Sequence, residues 1–208
     1  MARATSKAAS DAPRDAIALL KQDHRSVEQL FDRFEQADDD ELQGIAERVC
    51  QLLTVHAQIE EEILYPAAKQ AFDDEEDIDL VNEAAVEHQT AKDLIAKIEG
   101  MTADDEAFKA TVKVLSEYIK HHVKEEETEL FPSLKKTEVD LKDMGEQLNE
   151  RKMALMQELG IEPDAEQPAT SRKRSTGRSG RSSPAKSRQA RAGSRKSVAR
   201  VSGRSTRH

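Results

Sequence analysis

Two copies of one short pattern carry the residues best suited to chemistry. His56-Ala57-Gln58-Ile59-Glu60-Glu61-Glu62-Ile63-Leu64-Tyr65-Pro66 lies over His122-Val123-Lys124-Glu125-Glu126-Glu127-Thr128-Glu129-Leu130-Phe131-Pro132, and both read H-x-x-x-E-E-x-x-L-[YF]-P. Upstream of each copy stands a second histidine behind an acidic residue, Asp23-His24 and Glu87-His88. The intervals are nearly equal, 32 residues from His24 to His56 and 34 from His88 to His122. In an α-helix, positions i and i+4 share a face, so His56 with Glu60, and His122 with Glu126, can converge on one point. These residues share their stripes with Ile, Val and Leu, where an ionised carboxylate is costly to bury unless it is paired or bound to a metal. Four imidazoles and two carboxylates buried together call for positive charge, and no Lys or Arg shares the inner positions. Two metal ions would supply it, with the carboxylates bridging ions about 3.5–4 Å apart and the imidazoles completing each sphere. The count of two follows from the twofold repeat, and ligand type alone suits iron, manganese or zinc.

The elements that must position these side chains read as helices. Ile17, Leu20, His24, Val27, Phe31 and Phe34 recur at steps of three and four, the spacing of one helical stripe. Pro13 suits a first turn, with Asp11 near enough to help cap. A second helix begins near Glu41 with Ile45, Val49, Leu52, His56, Glu60 and Ile63 on one face, and Pro66 is expected to perturb it. A third follows the polar run Asp73 to Asp77 and aligns Val81, Ala84, His88, Ala91, Ile95 and Ile98, with Gly100 as its C-cap. The fourth starts near Asp104 and aligns Leu115, Ile119, His122 and Glu126. A fifth, from about Val139 to Leu159, has no histidine and reads as packing material.

Composition bounds the rest. The chain has 208 residues, no Trp, two Tyr and five Phe, so the core is built of Leu, Ile, Val and Ala, which favours helices over strands. The net charge of -9 hides a division. Residues 171–208 hold thirteen Lys and Arg and no acid, leaving 19 basic against 41 acidic residues in the body. The one cysteine, Cys50, reads as a small buried apolar residue and excludes an internal disulfide, so a reducing cytoplasm fits. There is no secretory leader pattern at the N-terminus, and no apolar run of about 18–20 residues that could span a membrane.

The paired motifs resemble the hemerythrin family and its bacterial HHE cation-binding relatives. The matching features are Asp23-His24, His56 to Pro66, Glu87-His88 and His121-His122 to Pro132, over roughly Asp15 to Lys135. The resemblance implies an all-α, up-down-up-down four-helix bundle with the fifth helix as a C-terminal extension. It also implies a non-haem di-iron site that binds dioxygen or related small oxidants, with His24, His56, His88 and His122 as terminal ligands and Glu60 and Glu126 as bridges. On the fourth helix His121, five residues before Glu126, is the alternative register, and the internal repeat favours His122. Oxygen-carrying members have a fifth histidine one turn after the third-helix ligand, and here that place is Lys92. Glu28, His121 or water would have to replace it, which argues against simple oxygen carriage and leaves sensing of iron, oxygen or peroxide, iron handling and a slow oxidase-like reaction as comparable alternatives. Nothing resembles a nucleophile elbow or phosphate loop, so a binding role is favoured and enzymatic activity is left open.

The remaining candidates have plainer readings. Glu61, Glu62, Glu125, Glu127 and Glu129 are expected to be solvated face residues, and Tyr65, Tyr118 and Phe131 to be core, with lining of the metal pocket as their alternative. The domain division is a disordered N-terminus (1–12), the bundle (13–160) and a disordered basic tail (161–208), because the tail cannot bury enough surface to offset its ordering entropy. Residues 171–208 suit either of two readings: a segment that binds nucleic acid by releasing counterions, without sequence preference since no aromatic residue is there to stack on bases, or a solvated tail that folds back loosely on the acidic body.

Overall fold

The computed structural model describes residues 15–162. Both expected disordered ends, 1–12 and all but the first two residues of 161–208, lie outside the described residues, as do Asp11 and Pro13. Within the described part every regular element is helical. The first helix, α1 (Ala16–Gln36), starts where Asp15 caps it by accepting a hydrogen bond from the Ala18 amide at 2.8 Å. Its expected stripe is buried along its whole length.

The second rod comprises α2 (Leu42–Ile59), a π turn, π1 (Glu60–Leu64), and α3 (Tyr65–Ala71). The perturbation expected at Pro66 falls just ahead of the proline and does not end the rod. A proline inside a regular helix clashes with the carbonyl of residue i−4; here the preceding turn widens, and the Tyr65 amide reaches back to the Glu60 carbonyl. The fourth rod repeats the device: α5 (Phe108–Glu125), π2 (Glu126–Leu130) and α6 (Phe131–Leu134), with the Phe131 amide on the Glu126 carbonyl and Pro132 next. The duplication therefore reaches the backbone, and each π turn begins at one of the two inner carboxylates. Single π turns inside α-helices are often found at functional sites.

Between these rods runs α4 (Glu75–Glu99), capped by the Asp74 side chain and closed by Gly100. The acidic run 73–77 is thus partly helical. The fourth rod begins at Phe108, later than the sequence indicated, because Asp105 folds back onto the Thr102 amide at 2.7 Å. The last helix, α7 (Leu141–Glu158), is capped by Asp140 and stopped at Gly160. Gly160 has φ +65°, the Gly160 amide bonds the Gln157 carbonyl, and the Ile161 amide bonds the Met156 carbonyl. This is a Schellman stop, which requires a residue able to adopt the left-handed region. Buried Met156 and Ile161 carry its apolar contact.

The core is layered. One apolar cluster joins the start of α1 to the π turns, α3, α6 and α7. The other joins the later half of α1 to α2, the later half of α4 and α5. On α1, His24 lies between Leu20 of the first cluster and Val27 of the second; on α4, His88 lies between Ala84 and Ala91. The polar inner residues form a belt between two apolar layers.

Candidate metal centre

All six inner residues are buried, with relative exposure from 0% for Glu60 to 6% for His56. They form two donor sets. His24, His56, Glu60 and Glu126 each offer a ligand atom within 4.8 Å of the others, and Glu60, His88 and His122 do the same. Glu60 belongs to both. The Nε2 atoms of His24 and His56 are 3.2 Å apart, and those of His88 and His122 are 3.1 Å apart. Two donors at right angles on one ion, each about 2.1 Å from it, would be separated by about 3.0 Å. The paired imidazoles therefore have the spacing of neighbouring ligands on one cation.

The carboxylates show the same need. Glu60 Oε2 lies 3.2 Å from His56 Nε2 and 3.5 Å from His88 Nε2; Glu126 Oε2 lies 3.3 Å from His24 Nε2 and 3.7 Å from His122 Nε2. These are ion-pair distances without hydrogen-bond geometry: both Glu60 oxygens and Glu126 Oε2 are buried with no hydrogen-bond partner. Such groups are rare in folded proteins and call for a specific account. A cation between the two donor sets satisfies them, and the residues present fit one. Glu126 Oε1 is instead engaged by the Tyr65 hydroxyl at 3.0 Å, and the same hydroxyl lies 3.1 Å from His88 Nε2.

Around this core stands a ring of outer carboxylates, one per histidine. His24 Nδ1 meets Glu127 at 3.0 Å, His88 Nδ1 meets Glu61 at 3.1 Å and His122 Nδ1 meets Glu87 at 2.7 Å. His56 Nδ1 lies 3.7 Å from Asp23. A carboxylate on the far nitrogen fixes the ring's orientation and leaves Nε2 free to donate its lone pair to a cation. Three of the four carboxylates are held by bases. Asp23 accepts from Lys152, Glu61 accepts from Lys92 at 2.6 Å, and Glu127 accepts from Lys21 at 3.1 Å and from Arg25 at 2.8 Å.

The protonation balance follows from this layout. Burial pulls His24 and His122 down, but carboxylates outweigh it. Glu126, Glu60 and Glu127 raise His24, while Glu126, Glu87 and Glu60 raise His122 to about 9. Complete burial pushes Glu126 up, yet His122 and His24 hold it well below the usual carboxylate range. Protons and a cation thus compete for the same nitrogens.

A model of the hemerythrin HHE cation binding domain matches residues 15–134, more than half of the chain. The chain belongs to the hemerythrin HHE cation-binding family. Among solved structures, a hemerythrin HHE cation binding domain-containing protein from Mycobacterium kansasii has a TM-score of 0.60 at 20% identity, covering 69% of this chain and 88% of that one. That likeness shows the hemerythrin-like helical fold. A DNA nickase from Nostoc sp. is 28% identical over 118 residues, 56% of this chain. The match takes in 32% of the nickase, so this chain spans about a third of that relative's length.

Within this HHE domain the structure brings His24, His56, Glu60, His88, His122 and Glu126 together. It places the other two candidate ligands elsewhere. Glu28, one turn after His24, has a half-exposed side chain paired with Arg25, and His121, one residue off the stripe that carries His122 inward, has a 60%-exposed side chain beside Glu125. Lys92, at the fifth-histidine place, reaches Glu61 and not the inner donors. Three expectations are corrected. Glu61 and Glu127 are partners of His88 and His24, not simply solvated residues. Tyr65 does more than fill the core, since its hydroxyl enters the centre. The fifth helix is more than packing, since it supplies Lys152. The doublets Asp23-His24 and Glu87-His88 and the second Glu of H-x-x-x-E-E carry the signal for the outer ring. Cys50 is buried as expected, its thiol pushed up to about 12 by burial and then by Glu99.

Proposed function

We propose that the bundle, with its hairpins running up-down-up-down, holds two iron ions on His24, His56, Glu60, His88, His122 and Glu126, and that it binds or senses dioxygen, a related small oxidant, or iron itself. The observation that carries this is Glu60: it belongs to both donor sets and has no hydrogen-bond partner for either buried oxygen. Manganese or zinc would suit the same ligand types. Bound ions would supply redox and Lewis-acid chemistry; the chain's own groups do the rest. The outer carboxylates orient the imidazoles, the two apolar layers exclude water, and Tyr65 sets an oxygen beside His88. A cavity of about 20 Å³, lined by Val27, Leu53, Ile95 and Ile119 beside the four histidines, adjoins the centre. A single water needs about 10–15 Å³ by the same measure, so the cavity suits a molecule of two or three atoms. With Lys92 in the fifth-histidine place, sensing or iron handling in a reducing cytoplasm fits better than oxygen carriage.

Iron assay and visible spectra of protein purified in air, before and after reduction, test this reading. Two equivalents are expected after growth in iron and reconstitution, and fewer than one overturns it. Glu60→Ala and Glu126→Ala should each lose metal from both positions, whereas His24→Ala should affect one ion more than the other. Full occupancy in either Glu variant would remove the bridging assignment.

A second reading rests on the thirteen basic residues and no acids of 171–208, together with the similarity to a DNA nickase. In that reading the basic tail binds nucleic acid without sequence preference and the metal is structural. A DNA titration of the full chain against a chain ending at Gly160 separates the two. Tail-dependent, salt-sensitive binding supports this reading, and equal binding by both chains removes it.

A further inference from the structure

Glu87 differs from the other three carboxylates that face a histidine Nδ1. Asp23, Glu61 and Glu127 are each held by Lys or Arg. The ion pairs of Glu87 among the described residues are with histidines: Oε2 lies 2.7 Å from His122 Nδ1, and Oε1 lies 3.9 Å from His121 Nε2. His121 Nε2 is in turn 3.1 Å from Glu125 Oε1. One ligand atom from each of Glu87, His121 and Glu125 lies within 4.8 Å of the others.

The internal repeat explains why this face is special. In the first copy, the positions matching His121 and Glu125 are Val55 and Ile59, both buried at 1% and 0% exposure in the core cluster that includes α7. There α7 covers the bundle, and its Lys152 brings the positive charge to Asp23. In the second copy the matching positions carry an imidazole and a carboxylate instead of apolar side chains. His121 is 60% exposed and Glu125 35%, while Glu87 sits half beneath them at 15%.

We propose that Glu87, His121 and Glu125 form a second, solvent-facing site for a divalent transition-metal ion, occupying the place that Lys152 takes in the first half. One imidazole and two carboxylates from two neighbouring helices suit a zinc-like ion and leave coordination positions for water. Glu87 is shared: one oxygen faces the outer ion and the other holds His122, so the outer site adjoins the buried centre. The site does not depend on which metal the buried centre holds.

Equilibrium dialysis of the full chain against zinc tests it by difference. The wild-type chain should bind one equivalent more than His121→Ala or Glu125→Gln, or bind that equivalent at least tenfold more tightly. His121 is exposed and Glu125 half-buried, and neither is among the six inner donors, so any deficit in the buried centre is expected to appear equally in all three chains. The His121 imidazole resonances should shift on zinc addition at the same concentration. Equal zinc uptake by all three chains, or a His121 signal unmoved by zinc, overturns the site.

Discussion

The Tyr65 hydroxyl donates to Glu126 Oε1 at 3.0 Å, joining the first copy of the repeat to the second. Phe131 holds the equivalent place in the other half and stacks on the His24 ring, centroids 5.9 Å apart and 5° from parallel. Tyr65→Phe should therefore leave one more buried carboxylate oxygen without a donor. The metal-free protein should lose about 1–3 kcal/mol of stability, read from denaturant unfolding. An unchanged midpoint would show that the hydroxyl contributes nothing there.

His122 gives the metal-free protein a pH signature. Against the downward pull of burial, Glu126, Glu87 and Glu60 raise it from 6.5 to about 9. A raised folded-state value stabilises fully below about 6.5, and the contribution is lost as pH climbs through 9. Stability of the metal-free chain should fall across that window. Metal affinity should rise over the same window, because fewer protons must be displaced. Unfolding midpoints and chelator competition at pH 6, 7.5 and 9 check both signs.

Lys152 is expected to act on the centre without touching it. Lys152→Met keeps the apolar stem but removes the charge from Asp23, whose Oδ2 already lacks a hydrogen-bond partner. Asp23 would then orient His56 less well. Affinity at the His24–His56 side should drop about 10–100-fold, and the His88–His122 side should change less. Site-resolved chelator competition reads the difference, and equal losses at both sides would place the effect on the fold.

Gly145 reverses the usual helix rule. An alanine in mid-helix is ordinarily better than glycine by about 1 kcal/mol. At this position a Cβ would lie 2.6 Å from the Ala16 amide nitrogen and 2.7 Å from the Asp15 carbonyl carbon. Gly145→Ala should push α7 off the start of α1 and lower stability by about 1–3 kcal/mol. A raised melting temperature would show that the contact relaxes freely.

The convergence of the six inner residues was legible in the sequence because each sits on an apolar stripe and the repeat gives every one a counterpart. Residues whose meaning depends on a neighbouring helix were not. Glu61 and Glu127 lie one place beyond the inward carboxylates, at the edge of their own helical wheel, and only the helix alongside decides between water and an imidazole. Lys152 reaches a residue 129 positions away, on a helix with no motif of its own. The prolines marked an irregularity correctly, but a single sequence does not distinguish a kink from a widened turn that keeps the rod running. Glu28 and His121 were plausible by proximity to His24 and His122; the 3.6-residue pitch turns His121 outward, whereas Glu28, one turn after His24, is drawn to Arg25 at the edge of the stripe.

The narrow chamber beside the histidines sets a size limit on that side of the centre. Its walls of Val27, Leu53, Ile95 and Ile119 leave room for a few atoms, so whatever reaches the imidazoles from this side is either small or must displace those side chains.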